Sequence, residues 1–231
     1  MQVNASYQTL RRLLGQLGIM LPLILWITNG FTIESSISHF YYTEAGTLFT
    51  GILIAFGLFL FTYRGYRKNK IPTKKEWIDD NNLTNVGGVL AIMTGLIPTS
   101  FGHDFQEACV HPLCHNNSIF GTVHLLCAAG FLGIMGAMSI FKFTMGSRVG
   151  QEWKHGLYIA AGAIVWISII FMAIYIYLRN HDKMLFANGV FWGETVALMA
   201  FGISWLVKGK PSQMWIFTQF STTKKSLDHA G

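Results

Sequence analysis

Residues 100–124 read SFGHDFQEACVHPLCHNNSIFGTVH and crowd four histidines, two acids and two cysteines between two long apolar runs. Imidazoles and carboxylates at this density suit a borderline divalent metal such as zinc, which lowers the pKa of a bound water to about 7 and makes it a nucleophile. Cys109 and Cys114, with Pro112 bending the chain between them, are also placed for a disulfide in a loop facing an oxidising compartment. A zinc site made of Cys109, His111, Cys114 and His115 is disfavoured. Structural zinc sites use two well-separated ligand pairs, and these four residues fall within seven positions.

A second polar stretch, TIESSISHFYYTEAG at residues 32–46, leads into another apolar run. Read as a helix, it puts Glu34, Ser38 and Tyr42 on one face and Ser35, His39 and Tyr42 on an overlapping one. The plainer reading makes Tyr41 and Tyr42 interfacial aromatics and Ser35 and Ser36 helix caps. His124 lies about one turn inside the fourth apolar run and Glu194 one to two turns inside the sixth. Ionisable groups at such depth are expensive and face a cavity or a partner, so these two residues stand out. The candidate metal ligands are His39, His103, His124 and Glu194, with zinc as the expected ion. Asp104 serves as general base or orients a metal ligand, Ser38 as an oxyanion or substrate contact, and Tyr42 and Trp192 as substrate-binding aromatics. The structural counterpart is a plain hydrogen bond from His124 to Glu194, without metal or catalysis.

The elements that must position these groups follow from composition. With 52% hydrophobic and 12% charged residues, the 231-residue chain departs from the balance of soluble domains. Apolar runs near 12–31, 46–66, 84–101, 119–141, 156–178 and 187–207 approach the length needed to cross about 30 Å of hydrocarbon. The first is too long for a signal-peptide core and is read as a retained span. An all-α bundle of six transmembrane helices over residues 1–210 is expected, followed by a tail at 211–231 that is interfacial or disordered.

Fifteen of the seventeen Lys and Arg fall before span 1 or after spans 2, 4 and 6, on one face. The positive-inside rule makes that face cytoplasmic, with both termini there, in a cell membrane. Anionic headgroups account for the net charge of +6, without nucleic acid. Six of the eight histidines collect on the opposite, extracytoplasmic face, and the small residues of the spans allow close packing or a homo-oligomer.

The segments SSISHFYYT…GTLFTGILIAFGLFLFTYRGY, NVGGVLAIMTGLIPTS and GTVHLLCAAGFLGIMGAMSIFKF, over about residues 35–142, resemble a family of bacterial multi-pass membrane proteins grouped with the DRAM and Sfk-type proteins. That resemblance implies a six-span helical bundle with polar residues at the outer face, and no particular reaction. The chain is more weakly similar to the alkaline-ceramidase and adiponectin-receptor superfamily of membrane hydrolases. This likeness implies a zinc site in which Ser36 or Ser38, Asp104, His39, His103 and His124 take part. It departs in the last span, where the superfamily's His-x-x-x-His pair is replaced by Glu194 in NGVFWGETVALMAFG.

Three functions therefore compete. One is a metal-dependent hydrolase acting on a membrane lipid or amphiphile. Another is a non-enzymatic lipid-binding, transport-associated or scaffold protein. The third is a thiol oxidoreductase using Cys109 and Cys114, which would need a second reactive pair that the remaining Cys127 does not supply.

Overall fold

Long apolar runs form helices even where Gly interrupts them, because in hydrocarbon each backbone N–H must find its acceptor within the segment. The computed structural model describes residues 2–63, 80–100, 118–145, 152–181, 183 and 186–209, with side chains from residue 8 onward except at position 118. Those residues form the helices α1 (Gln2–Thr28), α2 (Gly46–Thr62), α3 (Asp80–Leu96), α4 (Ser118–Ala137), α5 (Glu152–Arg179) and α6 (Gly189–Lys208). A 3₁₀ turn, Ile37–Tyr42, lies between α1 and α2, and α4 continues through a π turn at Met138–Lys142. The architecture is all-α.

Four stretches are long and apolar enough to cross a membrane: Gln8–Thr28, Ile119–Met145, Glu152–Arg179 and Gly189–Lys208. Gly46–Thr62 is apolar but shorter, and α3 begins with the polar residues Asp80, Asn81 and Asn82. Apolar side chains also point outward. On α5, Ile167, Ile170 and Ile174 are 65%, 56% and 54% exposed, an outer surface suited to lipid.

The helices pack as a sequential bundle, α2 on α3, α3 on α4 and α5 on α6, and α1 closes it by lying along α6. Small residues make the closest approaches possible. A Cβ on Gly202 would come within 2.7 Å of the Gly15 carbonyl oxygen, and one on Gly57 within 2.7 Å of the Gly88 carbonyl oxygen. Gly133 and Gly136 on α4 admit the Trp166 ring of α5, whereas Gly156 on α5 has nothing within 4 Å. The core between them is aromatic: Phe56, Phe131 and Phe201, from α2, α4 and α6, have ring centres 5.7 to 6.4 Å apart.

The connection from α1 to α2 shapes the site. Gly30 and Phe31 turn the chain in left-handed conformations, φ 62° and 63°, and the Trp26 indole donates to the Phe31 carbonyl at 2.8 Å. The chain then returns over the end of the bundle, where the Phe191 N–H at the start of α6 donates to the Ser35 carbonyl at 3.2 Å. Ile37–Tyr42 is thereby held against the first turns of α6.

Candidate functional site around Ser38 and His124

A 3₁₀ turn has three residues per turn, so the faces that an α-helix over residues 34–42 would present are not formed. The i, i+3 neighbours meet instead. Ser36 caps the turn, its hydroxyl accepting the His39 N–H at 3.2 Å and lying 2.6 Å from His39 Nδ1. Glu34 falls outside the turn and accepts from the Asn29 amide at 3.1 Å. This correction separates Glu34 from Ser38 and Tyr42.

Ser38 points inward, 6% exposed, to meet groups from two helices. His124 Nε2 lies 2.8 Å from its Oγ, and Glu194 Oε1 lies 3.4 Å from the same atom. Glu194 Oε2 accepts the Ile37 N–H at 2.5 Å. The two residues singled out by their depth in apolar spans do converge, but with the Ser38 hydroxyl between them rather than directly bonded.

His124 is anchored on its other side, Nδ1 lying 2.6 Å from the Ile97 carbonyl oxygen. A carbonyl only accepts, so Nδ1 carries a proton, and in the neutral ring Nε2 presents its lone pair to Ser38. Ile97 was not foreseen as a participant. Its carbonyl lies just past the end of α3, before Pro98, where helix-terminal carbonyls lack intrahelical partners. Pro98 was the signal that could have found it.

Beside Ser38 and Glu194 lies a cavity of about 40 Å³, whose other walls include Leu21, Phe49, Leu53, Phe131 and Leu198. A water needs about 10–15 Å³ by the same measure, so there is room for a small reacting group. The walls are almost wholly apolar.

The remaining expected residues are dispersed. Tyr42 donates to the Thr99 carbonyl at 2.5 Å, and burial, with the Tyr41 phenol next, pushes its pKa up to about 12. Trp192 is 49% exposed and packs edge-on against Phe191 at 5.2 Å, away from the cavity lining. His39 is bonded to Ser35 and Ser36 by the same ring nitrogen. Burial first, and then the Arg179 guanidinium, brings its pKa down to about 4. His103, Asp104, Cys109 and Cys114 lie outside the described residues. Among the described residues no three His, Cys, Asp or Glu side chains form a metal-binding group, and both ring nitrogens of His124 already have protein partners. Cys127 is a free, buried thiol.

No family model, curated protein or solved structure matches the chain.

Proposed function

We propose that the chain is a membrane-embedded hydrolase of a lipid or amphiphile, with Ser38 as nucleophile and His124 as general base. The observation that carries this reading is the Ser38 Oγ to His124 Nε2 contact of 2.8 Å, with the imidazole oriented by the Ile97 carbonyl. A hydroxyl becomes a competent nucleophile when a base with a free lone pair lies within hydrogen-bond reach and a third group fixes that base. Ser38 Oγ attacks an acyl carbon as its proton passes to Nε2. The imidazolium then returns that proton to the leaving oxygen or nitrogen, and water, deprotonated by Nε2, releases the acid and restores Ser38. Glu194 is a positioning residue that holds the Ile37 N–H and thereby the turn carrying Ser38. The apolar cavity walls favour an aliphatic substrate.

The zinc-dependent form of the reaction remains our alternative within the same class, and it draws on His39, His103 and Asp104 as well as His124 and Glu194. Zinc content of the purified protein distinguishes the two forms. For the membrane setting we propose six spans with both ends of the chain on the basic, cytoplasmic side and Ser38 near the opposite face. The four long apolar helices and the distribution of Lys and Arg support it.

One observation favours the lipid-binding or scaffold reading: Ser38 and His124 are 6% and 2% exposed and already bonded within the protein. Labelling of the detergent-solubilised protein with a long-chain fluorophosphonate separates the two. Covalent modification at Ser38, lost in His124→Ala, is expected of the hydrolase. An unlabelled protein that also fails to turn over long-chain esters and amides would leave the cluster a structural clasp.

A further inference from the structure

At the other end of the bundle, where α1 and α5 begin and α2 and α6 finish, a second polar cluster stands apart from Ser38 and His124. Arg11 lies over the Tyr63 ring at 5.3 Å and donates to the Tyr63 hydroxyl at 3.1 Å. Lys208 donates to the Phe143 carbonyl at 2.9 Å and sits 5.5 Å from the centres of both the Phe143 and Tyr158 rings. Trp205 joins the two halves, with ring centres 5.3 Å from Tyr63 and 5.2 Å from Phe143. Rings and a carbonyl stabilise these cations without neutralising either one.

Among the described residues, charge and hydrogen-bond accounting both leave a deficit of acceptors. Asp80 is the acid whose charge reaches Lys208, but it is already bonded to Lys142 at 2.8 Å, while Arg11 and Lys154 add positive charge to the same space. Arg11 Nε and Trp205 Nε1, which can only donate, are buried and have no hydrogen-bond partner among the described residues. Buried donors and cations without acceptors are costly, more so in an apolar surrounding.

We propose that this cluster binds a phosphate group, with Arg11 and Lys208 as its charged contacts. Both are only partly buried, so an incoming anion reaches them without unpacking the core. The Arg11 guanidinium has N–H groups beyond the one given to Tyr63 to offer to phosphate oxygens, and Lys208 has used one of its three ammonium protons on Phe143. Basic pockets between helices at the end of a bundle recognise anionic headgroups, so the group can be carried by a phospholipid or by the free ion.

The test is thermal unfolding of the full chain in a zwitterionic detergent at constant ionic strength, with phosphatidylglycerol, phosphatidylcholine or inorganic phosphate added. Phosphatidylglycerol is expected to raise Tm by about 5 °C when far above its Kd, phosphatidylcholine to leave it unchanged, and the paired change Arg11→Gln with Lys208→Gln to abolish the rise. An equal rise with inorganic phosphate keeps the site and assigns it to the free ion as well. No rise with either phosphate, or a rise that survives the paired change, overturns the proposal. Native mass spectrometry of the unaltered chain gives a reading independent of the variants: retention of phosphatidylglycerol above phosphatidylcholine supports the site, and equal retention overturns it.

Discussion

His124 has no spare hydrogen-bonding capacity, which makes its removal informative. In His124→Ala the part-buried Ile97 carbonyl loses its partner and the Ser38 hydroxyl keeps only its longer contact to Glu194, so a loss of about 1–3 kcal/mol is expected. Ser38→Ala removes the hydroxyl but leaves the Nδ1 anchor intact, so it should cost less than about 2 kcal/mol yet abolish labelling and turnover completely. Thermal unfolding read beside fluorophosphonate labelling checks both expectations, and full labelling of Ser38→Ala would sink the assignment of the nucleophile. His39 gives a pH signature. Its pKa is about 4 in the folded chain against 6.5 unfolded, so the unfolded state binds more protons between those values. Its contribution is complete above pH 6.5, is lost as pH falls toward 4, and is constant below that. Unfolding of the native protein and of His39→Gln at pH 7 and pH 5 measures the effect: the native protein should lose more stability than the variant over that interval. An equal loss would mean that the imidazole is solvated. The sequence pointed to His124 and Glu194 because an ionisable group in an apolar run needs a partner. It could not show that Ser38 would be that shared partner, since the contact joins residues 86 and 156 positions apart.

Elements place these groups through backbone details that apolar periodicity does not encode. The run at 46–66 announced α2, and 156–178 announced α5, because length and apolarity suffice for a helix in hydrocarbon. At Ile37–Tyr42 the sequence left open a longer helix or a Ser-capped, aromatic edge, and the short turn has the Ser36 cap of the second reading. Its pitch depends on the Ser36 cap and on the carboxylate that Glu194 brings from α6, both tertiary facts. Glu194→Gln keeps an oxygen able to accept the Ile37 N–H and should cost little. Glu194→Ala strands that N–H, and a loss of about 1–3 kcal/mol with weakened labelling of Ser38 is expected. Helix spacing offers a comparison with its own control. A Cβ on Gly57 would meet the Gly88 carbonyl at 2.7 Å, forcing α2 from α3, whereas one on Gly51 meets nothing within 4 Å. Gly57→Ala should therefore destabilise by about 1–3 kcal/mol and Gly51→Ala should be neutral or slightly stabilising. Equal thermal shifts in the two variants would show that the α2–α3 contact is not as close as it stands here.

At the scale of the molecule the open quantity is the number of crossings, and the charges make it testable. Four helices have the length and composition of spans, while α2 and α3, at 17 residues each, are shorter. If only the four crossed, α2 and α3 would form a pair that enters and leaves on one side. The segment joining them, with Arg64, Arg67, Lys68, Lys70, Lys74 and Lys75, would then lie opposite the segment around Arg148 or be drawn into the lipid. Six lysines and arginines on the wrong side contradict the bias that orients short loops. With six crossings the same segment joins Arg11, Arg12, Lys142, Arg148 and Lys208 on one face, and α2 and α3 satisfy the shorter span by local thinning of the bilayer at modest cost. The native thiols are removed by Cys→Ser replacement at Cys109, Cys114 and Cys127, and single cysteines are then introduced by Lys70→Cys and Asn116→Cys. Labelling with an impermeant maleimide in right-side-out vesicles should modify position 116 and leave position 70 untouched until the membrane is opened. Modification of position 70 in sealed vesicles would reduce the crossings to four. The basic cluster around Arg11 and Lys208 would keep its place at the ends of the remaining spans, because α1, α5 and α6 are long enough in either case.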